Sequence, residues 1–122
     1  MTKNKVLIVD DEPMVQKIVK RIVEDQGAEA LIADSADKVN NIMVNADNIK
    51  LAVLDLLLPN SSGWDIMDII EKHSRIPIII MTGVALSSDE KKKLLTRAKA
   101  IVEKNDFDIN NFSKLLITIL SQ

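Results

Sequence analysis

Five short apolar runs alternate with five segments of helical periodicity along this chain, and that alternation narrows the available folds more than any other feature. The runs are residues 6–9, 28–33, 50–54, 78–81 and 100–102. Short apolar runs bounded by turn residues read as strands buried on both faces. Between them, residues 14–26 carry apolar side chains at 15, 18, 19, 22 and 23, a helical period that Pro13 opens and Gly27 ends. Asp34 or Ser35 caps a second helix to about residue 46, with Val39, Ile42 and Met43 facing inward. A third spans 64–73, with Ile66, Met67, Ile69 and Ile70 as its apolar positions. Ser87 or Ser88 caps a charged fourth, 89–97, and Asp108 caps a fifth, which runs to Leu120. Strands alternating with helices predict an α/β fold: one doubly wound, five-stranded parallel sheet of flavodoxin type, in the order 2-1-3-4-5, covered on both faces. At 122 residues this is a single domain, residues 1–122, with no repeat or linker.

Composition excludes several function classes. No cysteine is present, so disulfides, thiol catalysis and thiolate zinc sites are ruled out, and the lone His73 makes no multi-histidine site. A net charge of −2 and 2% aromatic residues give no general attraction to nucleic acid and few stacking platforms. There is no helix-turn-helix segment or basic aromatic patch, so direct DNA binding is not expected. The N-terminal apolar stretch is too short for a secretory signal, and no run approaches a membrane span, so the expected location is the cytoplasm. The sequons at Asn60 and Asn111 are then chance matches.

The chemistry gathers where the strands end. The stretch Leu51 to Gly63, LAVLDLLLPNSSG, breaks an apolar run with Asp55, and a carboxylate there is costly to bury without a purpose. Strand 1 ends in Asp10 and Asp11, strand 4 in Thr82, and strand 5 in Lys104. A parallel sheet puts all these ends on one edge. Three converging carboxylates raise one another's pKa, and a hard divalent cation with oxygen ligands, Mg²⁺ or Mn²⁺, removes that cost. With Thr82 as a hydrogen-bond donor and Lys104 as a cation, the set makes a phosphoryl site with Asp55 as a nucleophile that forms an acyl phosphate.

Over its full length the chain resembles the receiver domains of two-component response regulators. The matching residues are Asp10-Asp11, Asp55 with Leu58-Pro59 and Gly63, Thr82-Gly83, and Lys104. The resemblance implies that Asp55 takes a phosphoryl group from the phosphohistidine of a histidine kinase or histidine phosphotransfer protein. It implies Mg²⁺ held by Asp11, Asp55 and the Leu57 carbonyl, with Asp10 acting through water. It implies that Thr82 and Lys104 ligate the phosphoryl oxygens, and that a switch rearranges the surface of helix 4, strand 5 and helix 5. Such a protein catalyses only its own phosphorylation and slow dephosphorylation and is otherwise not an enzyme. Its output is a downstream protein partner or an output domain outside this sequence, and dimerisation through helices 4 and 5 is open to it.

Two departures bear on the readout. The family's proline after the lysine is Asn105 here, so the Lys104–Asn105 bond is expected to be trans, with Phe107 standing one position late for the buried aromatic. The family's switch aromatic falls at Ile101. The alternative reading is therefore a receiver-shaped interaction module whose output does not depend on phosphorylation. Leu57 and Val84 flank the phosphoryl position and cannot orient a water, which predicts slow autodephosphorylation. A haloacid-dehalogenase-type phosphatase would want a second Asp two residues after Asp55, where Leu57 stands. The start of a calcium loop at Asp106 lacks its glycine and closing glutamate.

Singly, each residue has an ordinary role. Asp10-Asp11-Glu12 suits a helix N-terminus, Thr82-Gly83 a turn, Lys104 a solvated surface, and His73 a helix C-terminus. The run Lys91, Lys92, Lys93, Arg97 and Lys99 reads as a solvated face or a docking surface for an acidic partner. Trp64 packs locally or reports on the site, and Met14 and Ile18 are core or an exposed part of a histidine-donor contact.

Overall fold

The computed structural model describes residues 3–121. Strands β1 (Lys5–Val9), β2 (Glu29–Ala33) and β3 (Ile49–Leu54) are followed by a hairpin of β4 (Leu57–Leu58) and β5 (Ser61–Ser62), then by β6 (Ile78–Thr82) and β7 (Ala100–Glu103). The helices are α1 (Pro13–Asp25), α2 (Ala36–Asn45), α3 (Gly63–His73), α4 (Ser88–Leu95) and α5 (Ile109–Leu120). The main sheet is parallel in the order β2-β1-β3-β6-β7. This is the expected 2-1-3-4-5 order once the hairpin is set aside.

Alternate side chains of each central strand feed two cores. Leu7, Val9, Ala52, Leu54, Ile78 and Ile80 face α2, α3 and α4, meeting Val39, Met43, Ile66, Met67, Ile70 and Leu94. Val6, Ile8, Leu51, Val53, Ile79 and Met81 face α1 and α5, meeting Val19, Ile22, Val23, Phe112, Leu116 and Ile119. Both faces are thus covered, which is why the strands read as continuous apolar runs. Met14 and Ile18 lie on the exposed side of α1. No helix among the described residues is long and apolar enough to cross a membrane.

Local chemistry sets the helix ends. Gly27, at φ +80°, takes the left-handed conformation that closes α1. Ser35, Ser62, Ser87 and Asp108 accept from backbone N–H groups at the starts of α2, α3, α4 and α5. At α4 the Glu90 side chain also accepts from the Ser87 N–H, completing a capping box.

Three details differ from the sequence reading. The stretch after Asp55 is not simply a loop: β4 and β5 pair around Pro59-Asn60, and the Gly63 N–H donates to the Leu56 carbonyl at 2.7 Å. Helix α4 stops at Leu95 instead of reaching Arg97, and the Thr96 hydroxyl donates to the Lys93 carbonyl as the chain turns. Arg97 is then no part of a solvated basic face. Its guanidinium pairs with Asp68 at 2.7 Å and Glu71 at 2.6 Å on α3 and lies over the Trp64 ring, 5.6 Å from its centroid. Finally, a 3₁₀ turn, Lys104–Asp106, follows β7. No cis peptide occurs among the described residues, as Asn105 led one to expect, and Phe107 packs edge-on to Phe112 at 5.3 Å.

Candidate functional site

The sheet ladder carries two carboxylates to its C-terminal edge. The Asp10 N–H donates to the Ala33 carbonyl and the Asp55 N–H to the Val9 carbonyl, so hydrogen bonding continues one residue past β1 and β3 and fixes both backbones. Apolar neighbours in the strands leave these side chains nowhere to go but the edge. Asp10 is 3% exposed and Asp55 6%; with Thr82 at 0%, they are the buried polar residues of the described chain. All three stand at ends of adjacent strands. Burying polar groups without partners is unfavourable, and each of these has one.

Lys104 supplies most of the compensation. Its ammonium, from the turn after β7, lies 3.0 Å from Asp10 Oδ2, 2.9 Å from Asp55 Oδ2 and 2.7 Å from Glu12 Oε1. Asp55 Oδ1 accepts from the Leu57 N–H at 3.1 Å, and Asp10 Oδ1 from the Glu12 N–H at 2.9 Å. Burial opposes the charge on Lys104, yet its hydrogen bonds to Glu12, Asp55 and Asp10 outweigh that and raise its pKa above the ordinary lysine range. Burial pushes the Asp10 carboxyl up; the Glu12 N–H and Lys104 work against it, and the Asp55 charge adds to it.

Asp11 is exposed beside this pair, and one carboxylate oxygen each from Asp10, Asp11 and Asp55 falls within 4.8 Å of the others. Three convergent hard oxygen donors suit a divalent cation such as Mg²⁺. The donor set fits the ion on its chemistry: oxygen ligands only, and an excess of negative charge over the single lysine.

Thr82 closes β6 opposite Glu103 of β7, and its Oγ1 accepts from the Val84 N–H at 3.1 Å. Gly83 lies beside the Lys104 stem: a Cβ there would stand 3.8 Å from Lys104 Cδ. The sequence-predicted residues Asp10, Asp11, Asp55, Thr82 and Lys104 are thus brought to one edge. Leu57 joins them through its backbone, and the residue is 61% exposed. Val84 and Trp64 are also exposed near this edge, around a cavity of about 180 Å³ that Leu56, Leu57 and Leu86 share. His73 lies elsewhere, with its ring 3.3 Å from the Asn40 amide oxygen.

In the sequence Glu12 reads only as part of an acidic helix start. Its signal was its position: it is the N-cap of α1, where a short Ser, Thr, Asp or Asn is favoured, and its side chain caps nothing. Concavity does not mark the site either. A cleft of about 450 Å³ lies at the opposite edge of the sheet, between Asn4, Lys50, Ser74 and Arg75, away from every buried carboxylate.

Comparison with known proteins agrees with this geometry. The family model of the response regulator receiver domain matches residues 6–116. The heme response regulator HssR of Staphylococcus saprophyticus is 25% identical, over 86% of this chain and 54% of that protein. The transcriptional regulatory protein YvrH of Bacillus subtilis is 32% identical, over 75% of this chain and 38% of its own length. The chain therefore spans about half or less of the length of these relatives. The non-phosphorylated receiver domain of HemR from Leptospira biflexa superposes with a TM-score of 0.83 at 23% identity, covering 98% of this chain and 96% of that one. With the family model matched over nearly its whole length, the chain belongs to the response regulator receiver domain family, the phosphoacceptor module of two-component signalling.

Proposed function

We propose that Asp55 is the phosphoacceptor and that its phosphorylation, dependent on Mg²⁺, switches the binding of a protein partner. One observation carries the assignment: the buried polar residues of the described chain, Asp10, Asp55 and Thr82, stand together at one edge, and Lys104 reaches both carboxylates. The donor is the phosphohistidine of a histidine kinase or a histidine phosphotransfer protein. A carboxylate oxygen of Asp55 attacks phosphorus, the phosphorus–nitrogen bond breaks, and the departing imidazole takes its electron pair and a proton. The product is an acyl phosphate on Asp55.

Asp11, Asp55 and the Leu57 carbonyl would hold Mg²⁺, or Mn²⁺ in its place, with Asp10 acting through water. When bound, the ion offsets charge on the phosphoryl oxygens. The chain's own groups do the rest. The Leu57 N–H holds one Asp55 oxygen, which leaves the other to attack. Lys104, already within hydrogen-bond range of Asp55, neutralises charge on the transferred group. The Thr82 hydroxyl accepts from the Val84 N–H and has its own hydrogen to donate to the phosphoryl group, so a move of Thr82 toward that group draws the start of the β6–α4 connection with it. No observation favours an output independent of phosphorylation: Ile101 is half-buried against the α2–α3–α4 core, and the chemistry does not involve it.

In this reading the protein acts on no separate substrate; it catalyses its own phosphorylation and slow dephosphorylation in the cytoplasm. Its output is a downstream protein or an output domain, with dimerisation on the α4–β7–α5 side as one form of it. Neither DNA nor a membrane is a direct partner. The test is incubation with acetyl phosphate and Mg²⁺, followed by intact mass. Wild type gains one phosphate; Asp55→Asn, or wild type in a chelator, gains none. A folded wild type that gains none would overturn the proposal.

A further inference from the structure

Lys104 makes its shortest contact with the wrong residue. Of the three carboxylates around its ammonium, Glu12 at 2.7 Å is closer than Asp55 at 2.9 Å or Asp10 at 3.0 Å. The Glu12 side chain is 57% exposed, against 4% and 8% for the two aspartates, so nothing about burial demands a partner for it. Its backbone is pinned: the N–H donates to Asp10, and the carbonyl accepts from Gln16 in the first turn of α1. Pro13 follows at the first helical position. The N-cap residue would ordinarily turn its side chain back onto the helix, but this one turns away, across the edge of the sheet, to a lysine 92 residues on.

An ammonium has three N–H donors; this one donates to Glu12 and Asp55 and is paired with Asp10 at 3.0 Å, so little of it is left for a new acceptor. A phosphoryl group on Asp55 adds oxygens and roughly two negative charges at that same place. Lys104 must then serve the new group, and one of its present partners must let go. Asp10 and Asp55 are buried and fixed, whereas Glu12 opens to water and can be released at least cost. Until then Glu12 also adds a fourth negative charge to a site with a single lysine, which favours a divalent cation and disfavours a phosphoryl anion.

We infer that Glu12 is a positioning residue that holds the Lys104 ammonium at the rim of the site and competes with the incoming phosphoryl group for it. The inference rests on Asp55 as phosphoacceptor. It assigns Glu12 two opposite effects, stronger cation binding and weaker phosphoryl capture. A merely structural residue would move both in one direction.

The test is Glu12→Gln, which keeps the shape and removes the charge, beside Asp106→Asn, an exposed carboxylate in the turn after Lys104. Metal affinity is read without phosphorylation, from the free Mn²⁺ electron paramagnetic resonance signal with Mg²⁺ as competitor. Phosphoryl capture is read as the rate of mass gain from acetyl phosphate at saturating Mg²⁺, where Asp55 displaces acetate from phosphorus. For one partly exposed charge, Glu12→Gln is expected to bind metal about threefold more weakly and capture phosphoryl about threefold faster, with Asp106→Asn like wild type. Any other pattern overturns the inference: both quantities falling, neither moving, or Asp106→Asn doing the same. If wild type itself takes no phosphate, Asp55 as phosphoacceptor fails and this inference falls with it. If wild type is labelled and Glu12→Gln matches it, only the role of Glu12 fails.

Discussion

Replacing Asp10 with Asn should make the metal-free protein more stable. The carboxylate oxygens of Asp10, Asp11 and Asp55 lie within 4.8 Å of one another, and Lys104 is 3.0 Å from Asp10. At an effective dielectric constant of about 20, Asp55 repels Asp10 by roughly 3.5 kcal/mol and Lys104 attracts it by roughly 5.5 kcal/mol, while solvent screens the exposed Asp11. Charge pairing alone therefore favours the carboxylate; burial of the Asp10 charge is the larger effect and raises its pKa in the fold. Asn keeps an oxygen for the Glu12 N–H and loses the charge. A net gain of about 1 kcal/mol corresponds to about 4 °C in Tm for a domain of this size.

The pH dependence has a definite sign. The Asp10 pKa is raised in the fold, so the stability contributed by its neutral form is fully present below the ordinary value of 3.8 and lost as pH rises through the folded value. The advantage of Asp10→Asn is therefore absent at acid pH and complete at neutral pH. The assay is thermal unfolding by circular dichroism in a chelator at several pH values, repeated with Mg²⁺. Mg²⁺ should raise the wild-type Tm more than that of the variant, closing the gap. A variant that melts below wild type in chelator at neutral pH, or a gap that Mg²⁺ leaves unchanged, would refute the reasoning.

Other substitutions probe the frame and the lifetime of the phosphorylated state. Gly63→Ala places a Cβ 2.8 Å from the Leu56 Cα, a backbone atom that cannot swing aside, and should lower stability by about 2 kcal/mol in urea unfolding. Ser87→Ala removes the hydroxyl that accepts from the Glu90 N–H, leaves the backbone N–H that donates to the Glu90 carboxylate, and should cost about 1 kcal/mol in the same measurement. Leu57 and Val84, exposed and apolar, offer no group to orient an attacking water. Wild-type phosphoaspartate should therefore persist for minutes or longer by mass, and Leu57→Asn should shorten that several-fold; a wild-type half-life of seconds would contradict the assignment.

The parallel sheet was legible in the sequence because its central strands are apolar on both faces and each ends at a turn or a polar residue. That one inference also located the site, since strand ends in a parallel sheet share an edge. Asp55 stood out because it breaks the run 51–54, and it is one of the buried carboxylates of the described chain. What escaped depends on contacts too short or too distant for periodicity to register. The β4–β5 hairpin has two residues per strand, fewer than any alternation can show. Arg97 stands in a run of lysines that reads as a solvated face or a docking surface, and the early end of α4 leaves it paired with Asp68 and Glu71 and over Trp64. Glu12 and Lys104 are 92 residues apart, and no local pattern links them.

Mapping the phosphoryl group to a residue tests the central claim most directly. The protein is labelled with acetyl phosphate and Mg²⁺, reduced with borohydride, which converts an aspartyl phosphate to homoserine, and digested for peptide mass. Homoserine at position 55, and at no other aspartate, is the predicted result. A stable phosphate on a serine, threonine or histidine, or homoserine at Asp10 or Asp11 with Asp55 intact, would contradict the account.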